Sequence, residues 1–240
     1  MSHLPPTQIQ RMFGEIAGWY DFLNHLLSAG IDRSWRRKAV RLVAPRQDGG
    51  PILDVCTGTA DLALEYWRAS RRMPAVRVWG ADFCRPMLEI GNKKRRRAGA
   101  EDRLALTEAD AVELPFADDS FQIVSVAFGL RNVADPEKGL REMVRVCRRG
   151  GRVAVLEFST PGIWPFKTLY TWYFQDVLPR IGQALARNTQ RAYNYLPESV
   201  GQFPQGAEFV GRLRGAGLRE IRVYPFSFGI ATLYVGKKEE

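Results

Sequence analysis

From residue 51 onward the chain repeats one local pattern: a short apolar run, a turn, and a stretch of helical period. Pro51–Val55 (PILDV) ends in the turn Cys56-Thr57-Gly58-Thr59. A helix over Asp61–Arg71 follows, with Leu62, Leu64, Tyr66 and Trp67 among its apolar positions. Val76–Gly80 (VRVWG) then leads to a helix over Pro86–Ala98, and Arg103–Thr107 (RLALT) is a third strand. Phe121–Phe128 reads as a longer buried strand before a helix that starts at Pro136, where proline suits the first turn. Gly150-Gly151 predicts the end of that helix, ahead of a strand over Arg152–Phe158. Strands alternating with helices form a parallel sheet covered on both faces. Leu218–Tyr224 and Ile230–Gly236 break the rhythm, because the turn between them is too short for a crossover; they predict an antiparallel pair.

Size and composition suit one such domain over 1–240. A chain of 240 residues buries most of its surface without staples, and 45% hydrophobic with 25% charged residues is globular usage. Cys56, Cys84 and Cys147 are widely spaced, with no CxxC and no paired His, which argues against a metal site and for a reducing cytoplasm. No apolar run reaches the length of a membrane span, and the first residues lack the apolar core of a signal peptide. Lys and Arg number 35 against 26 Asp and Glu; the net charge of +9 invites an acidic partner.

Two segments stand outside the alternation. Residues 1–48 predict a helical cap whose first helix is crowded with Trp19, Tyr20, Phe22, Leu23, Leu26 and Leu27. Residues 161–203 predict a helical insertion rich in aromatics, among them Trp164, Phe166, Tyr170, Trp172, Tyr173 and Phe174. Core packing explains such a stripe as well as a lid over a flat, apolar substrate does.

In an open α/β sheet, ligands bind beyond the carboxyl ends of the strands, near the switch in strand order. The first such turn, Asp54–Leu62, holds Gly58 as its only glycine, so it lacks the GxGxxG device that admits a pyrophosphate and is no P-loop. A single tight turn flanked by acids suits a cofactor that carries an ammonium and a sulfonium, as S-adenosylmethionine does. Asp82, 24 residues past Gly58 at the end of the second strand, is placed to accept both hydroxyls of a ribose. Asp110, after the third strand, is placed to meet an adenine amino group. Taken singly, each acid is explained as a helix cap or loop residue; three at successive strand ends favour the cofactor.

The chain resembles the class I S-adenosylmethionine methyltransferases, and within them the ubiquinone/menaquinone biosynthesis C-methyltransferases. The resemblance is carried by Tyr20-Asp21-Phe22-Leu23-Asn24 with Ser28 and Trp35, the Asp54–Leu62 turn, and Leu114-Pro115-Phe116. Phe128-Gly129-Leu130-Arg131-Asn132-Val133, Arg145–Ser159 and Phe228-Gly229-Ile230-Ala231-Thr232 complete it. It implies a Rossmann-like, seven-stranded, mostly parallel sheet of order 3-2-1-4-5-7-6, and cofactor contacts on Thr59, Asp82, Asp110 and Ala111, beside Asp54 and Gly58 expected from the turn itself. This sequence departs from the family pattern at Leu23 (Met expected), Asp32 (His), Ala127 (Ser) and Arg148-Arg149 (Lys-Pro).

The reaction implied is methyl transfer to a ring carbon of a polyprenylated hydroquinone, demethylmenaquinol in the preferred reading. Ring carbon becomes nucleophilic when an adjacent hydroxyl loses its proton, so the catalytic expectation falls on Arg131 for phenolate stabilisation, with Asn132 beside it and Tyr20 closing the site. The competing reading of Arg131 is an ion pair with Asp135. A different class, a nucleic-acid methyltransferase or basic RNA-binding module, is raised by +9 and by Lys93-Lys94-Arg95-Arg96-Arg97. Against it, FGLRNV stands where amino-methylating enzymes carry an (Asp/Asn)-Pro-Pro-(Tyr/Phe) turn, and no cysteine follows a proline. A charge run is most often a solvated face, and it also suits transient contact with an anionic inner-membrane surface. The sequence carries no signal for oligomeric state.

Overall fold

The computed structural model describes residues 6–28, 30–47, 49–161 and 199–239. Most of the aromatic insertion expected over 161–203 lies outside them, as do the side chains of Tyr20 and its neighbours in the first helix. Among the described residues the elements are α1 (Pro6–Leu27), α2 (Ile31–Leu42), β1 (Ile52–Val55), α3 (Asp61–Ala69), β2 (Val78–Asp82), α4 (Arg85–Ala98) and β3 (Leu104–Glu108). They continue with β4 (Phe121–Ala127), α5 (Pro136–Val146), β5 (Cys147–Phe158), α6 (Gly206–Gly215), β6 (Leu218–Phe226) and β7 (Ala231–Lys238).

The seven strands form one sheet of order β3-β2-β1-β4-β5-β7-β6. The first five are mutually parallel, and β7 runs antiparallel to both β5 and β6. The order reverses between β1 and β4, which opens the crevice where this architecture takes ligands. The central strands read as unbroken apolar runs because both faces are covered. Ile52, Val78, Leu104 and Ile123 face a core shared with α2 and α3, while Leu53, Ala81 and Val124 face α5 and α6. The helix α1 packs on α4 through Phe13, Ala17, Cys84 and Met87.

Local chemistry places the breaks. Pro136 opens α5 behind Asp135, whose Oδ1 accepts from the Lys138 N–H at 2.9 Å as an N-cap. Contrary to the sequence expectation, Gly150-Gly151 does not end that helix. The helix stops at Val146, and β5 is already under way at Cys147. The glycines instead serve a crowded strand start, where a Cβ on Gly151 would come within 2.7 Å of the Arg148 carbonyl and 3.0 Å of that of Gln122. The basic run on α4 is likewise divided. Lys94 and Arg95 turn inward, to Asp61 and to the Leu104 carbonyl, whereas Lys93, Arg96 and Arg97 face solvent.

Gln122, at the start of β4, ties the link between α2 and β1 to the sheet. Its Oε1 accepts from the Arg46 N–H at 2.8 Å, and its Nε2 donates to the carbonyls of Arg46 and Gly50. A buried polar group whose partner is removed costs about 1–3 kcal/mol. Gln122→Leu is therefore expected to lower stability by about that amount, roughly 2–4 °C of melting temperature per kcal/mol in a domain of this size, read by thermal denaturation.

Candidate functional site

The β1–α3 turn departs from ordinary backbone at three of five positions. Cys56, Gly58 and Ala60 have φ of 52°, 56° and 68°, and at the end of β4 Phe128 has 60°. Left-handed backbone at non-glycine residues costs of the order of 1–3 kcal/mol each and persists where surrounding contacts impose it. Here the impositions are visible. Asp54 Oδ2 accepts from Thr57 Oγ1 at 2.6 Å, and the Thr57 N–H reaches the Ala81 carbonyl at 3.0 Å. Asp82, on the neighbouring strand, accepts from the Gly58 N–H through Oδ2 and from the Cys84 N–H through Oδ1, both at 2.8 Å. The loop after β4 closes from the other side: a Cβ on Gly129 would stand 2.4 Å from Cys56 Cβ.

Between these loops lies a cavity of about 720 Å³ that opens to solvent. Gly58, Asp82, Asp110 and Ala111 border it, together with Phe13 of α1, Met87 of α4, Phe128, and Asn132. Burial pushes the Asp82 carboxyl up to about 6, with the Cys84 and Gly58 amides pulling it back. It pushes Asp54 up to about 7 against the Thr57 hydroxyl and the Arg36 charge. Both are therefore carboxylates held at a cost near neutral pH, and each Asp82 oxygen keeps acceptor capacity beyond its one backbone donor.

Of the residues expected at the site from the sequence, Gly58, Asp82, Asp110, Ala111 and Asn132 border the cavity. Asp54 and Thr59 do not border it; they lie beneath the turn, where Thr59 Oγ1 accepts from Lys94 Nζ at 2.9 Å. Arg131 does not border it either. Its Nη1 donates to Glu157 Oε2 at 2.7 Å and to the Phe128 carbonyl at 2.6 Å, and its guanidinium lies 5.3 Å from the Phe158 ring centre. The ion-pair partner is thus Glu157 on β5 rather than Asp135, whose carboxylate is spent on its helix cap. Tyr20 falls in α1, seven residues after Phe13, with its side chain outside the described set. Phe13 and Met87 escaped the sequence reading, because only the docking of α1 on α4 brings them to the crevice.

The site fits the proposed cofactor on three counts. Nothing lies within 4 Å of where a Gly58 side chain would project, so a ligand can approach the turn closely. Asp82 offers a carboxylate to a diol, and Asn132 Oδ1 is buried at the cavity with no hydrogen-bond partner among the described residues.

Comparison with known proteins gives this geometry a context. The chain is 47% identical to the ubiquinone/menaquinone biosynthesis C-methyltransferase UbiE of Geotalea daltonii over 233 residues, 96% of each chain. It is 42% identical to a demethylmenaquinone methyltransferase of Porphyromonas gingivalis over 232 residues, 96% of this chain and 93% of that one. Among solved structures, an S-adenosylmethionine-dependent methyltransferase from Thermotoga maritima shares the fold, with a TM-score of 0.65 at 18% identity over 96% of this chain and all of the other. A sequence model of one family matches residues 1–238, nearly the whole length, and the chain belongs to the ubiE/COQ5 methyltransferase family.

Proposed function

We propose that this protein transfers a methyl group from S-adenosylmethionine to a ring carbon of a polyprenylated hydroquinone, with demethylmenaquinol as the acceptor. The observation that carries the reading is one cavity, at the β1/β4 switch, bordered both by Asp82 and by the aromatic rings of Phe13 and Phe128. When bound, S-adenosylmethionine would supply an electrophilic methyl group on a sulfonium; the ring carbon would take that methyl as S-adenosylhomocysteine leaves, with the acceptor's hydroxyl and ring protons passing to solvent. Asp82 accepts the ribose hydroxyls while fixing the Gly58 turn, and Asp110 and Ala111 border the adenine. Asn132 meets the acceptor hydroxyl. Arg131, locked between Glu157 and the Phe128 carbonyl, holds the 3-10 turn Leu130–Asn132 that presents Asn132; closing of the site is assigned to Tyr20 from the sequence alone. The described part of the cap, α1 and α2, then belongs to one domain with the sheet.

The names of the relatives, quinone-biosynthesis C-methyltransferase and demethylmenaquinone methyltransferase, favour a quinol acceptor over nucleic acid. No helix among the described residues is long and apolar enough to cross a membrane. Transient contact with an anionic bilayer is supported by α2, whose outer side exposes Arg33, Arg37, Lys38 and Arg41 with Ile31 and Leu42. Such a face binds through charge plus a modest apolar area. Co-sedimentation with vesicles is expected to rise with anionic lipid and fall with salt; binding insensitive to both overturns the membrane reading.

The cofactor assignment is tested by thermal shift. At about 100 times its dissociation constant the donor stabilises the wild type by about 2.7 kcal/mol, and Asp82→Ala is expected to lose that stabilisation. Because the Asp82 carboxyl titrates near 6, donor affinity is expected to decline as pH falls through that value, while a variant without the carboxyl shows no such inflection. The sign for folding is opposite. An acid whose folded value is raised destabilises the native state as pH rises from about 4 to 6, so the unliganded protein gains from this group on acidification.

Asn132 and Arg131 separate contact from support. Loss of one group that acts on developing charge costs of the order of 100- to 1,000-fold in kcat. Asn132→Ala is expected to show that loss with an ordinary melting temperature. Arg131→Ala strands Glu157 as a buried, unpaired acid, which costs about 3–5 kcal/mol of stability. A normal melting temperature in Arg131→Ala with abolished turnover would return Arg131 to direct contact with the phenolate.

A further inference from the structure

Behind the cofactor turn lies a second set of charged groups that the reaction scheme does not use. At its centre is Arg36 of α2, whose side chain is 9% exposed. Its Nη1 donates to Asp32 Oδ2, one turn earlier in the same helix, and stands 3.8 Å from Asp61 Oδ2. Asp32 is steadied in turn by Ser28, whose Oγ donates to Asp32 Oδ1 at 2.8 Å. Asp61 is the first residue of α3, directly after the left-handed turn. Its Oδ1 accepts from Lys94 Nζ at 2.6 Å, and the same ammonium donates to Thr59 Oγ1. The Arg36 guanidinium also lies over the Phe128 ring, 5.7 Å from its centre, and Trp35 packs on that ring at 6.0 Å.

One residue of the N-terminal cap therefore grips both loops that build the cavity, the β1 turn through Asp61 and the β4 loop through Phe128. An ion pair is a poor device for merely fastening α2, since desolvating the Arg36 guanidinium and the Asp32 carboxylate costs as much as their attraction returns, and apolar packing fastens as well. Apolar packing is already present: Trp35, Ala39 and Val40 sit in the core with Leu62 and Tyr66 of α3. What arginine adds is a planar guanidinium whose Nη1 bonds Asp32 and stands 3.8 Å from Asp61 while the group lies over an aromatic ring, a combination lysine lacks.

We propose that Arg36 is a positioning residue for the methyl donor: from the cap it sets the first turn of α3 and the Phe128 loop together, so that docking of α2 completes the donor site. The proposal rests on the reading that the cavity takes S-adenosylmethionine. Arg36 itself touches no donor atom and acts through Asp61 and Phe128. Asp32, where the family pattern has histidine, supplies the carboxylate that aims it.

The test compares wild type, Arg36→Met, Arg36→Lys, Asp61→Asn and the Arg36→Met/Asp61→Asn double variant. Its readouts are donor affinity by calorimetry, acceptor KM, and melting temperature, all on the full chain. Arg36→Met is expected to weaken donor binding by about tenfold while acceptor KM stays within about twofold, with Arg36→Lys recovering part of the loss. The double variant is expected to bind donor no worse than the weaker single, because both residues act through one contact. Should Arg36→Met fail to fold, Asp61→Asn, which keeps the side chain's size, carries the same test with a smaller loss. Donor affinity unchanged in the Arg36 and Asp61 variants despite lowered melting temperatures overturns the proposal, as does a double variant whose losses simply add. Absence of donor binding by the wild type would instead overturn the functional reading itself, and this inference with it.

Discussion

Two hydrogen bonds to one carboxylate organise the ligand-binding edge of this protein. Asp82 ends β2, yet its oxygens accept from the amide of Gly58 on the β1 turn and from the amide of Cys84 at the entrance to α4. A single side chain thereby fixes the relative height of two adjacent strand-to-helix turns. The charge that does so is buried, and burial would discharge it were the two amides not aimed at it. The same atoms that hold the turn therefore also form the anionic wall of the cavity, so the folded state stores an acceptor already oriented and largely stripped of water.

Charge is handled differently on the acceptor side. Arg131 and Glu157 neutralise each other inside the sheet edge, next to the ring of Phe158 and beneath the turn that carries Asn132. The result is a polar scaffold with little net field of its own, overlaid by an apolar wall of Phe13, Phe128 and Met87. A carboxylate on one loop and a neutral amide among rings on another suit the proposed pair, in which one partner is polar and cationic and the other flat and greasy. Fold alone would not say this, since the same sheet serves many chemistries; the side chains at the strand ends do.

Much of this was legible in the sequence because it is local. The alternation of apolar runs and helical stretches depends on neighbours a few residues apart, and the strand-end acids follow directly from it. Gly58 and Asp82 could be paired by their spacing alone, since successive strands of a parallel sheet end at the same edge. Strand limits were less legible: β2 begins at Val78 rather than Val76, and β5 begins before its glycine pair, because hydrogen bonding to β1 and β4 decides where extension starts. Least legible were the ion pairs. Arg131 meets Glu157 only because β4 and β5 lie side by side and the turn after β4 folds back on them, and local reasoning offered Asp135 instead. Asp54 and Thr59 illustrate the same limit, since a residue can belong to the binding turn and still point into the floor beneath it.

The near-contact between Gly129 and Cys56 has a further consequence. With 2.4 Å between a would-be side chain and the facing Cβ, the loops after β1 and β4 have no slack, and neither can be lengthened, rotated or enlarged at that point without displacing the other. The wall shared by donor and acceptor is in this respect a single casting. Variation in what the enzyme methylates must then be accommodated by parts that lean against that wall without forming it, α1 with Phe13 first among them. Redesign toward other ring substrates has its freedom there, at the docked helix, and not at the crossing of the two loops.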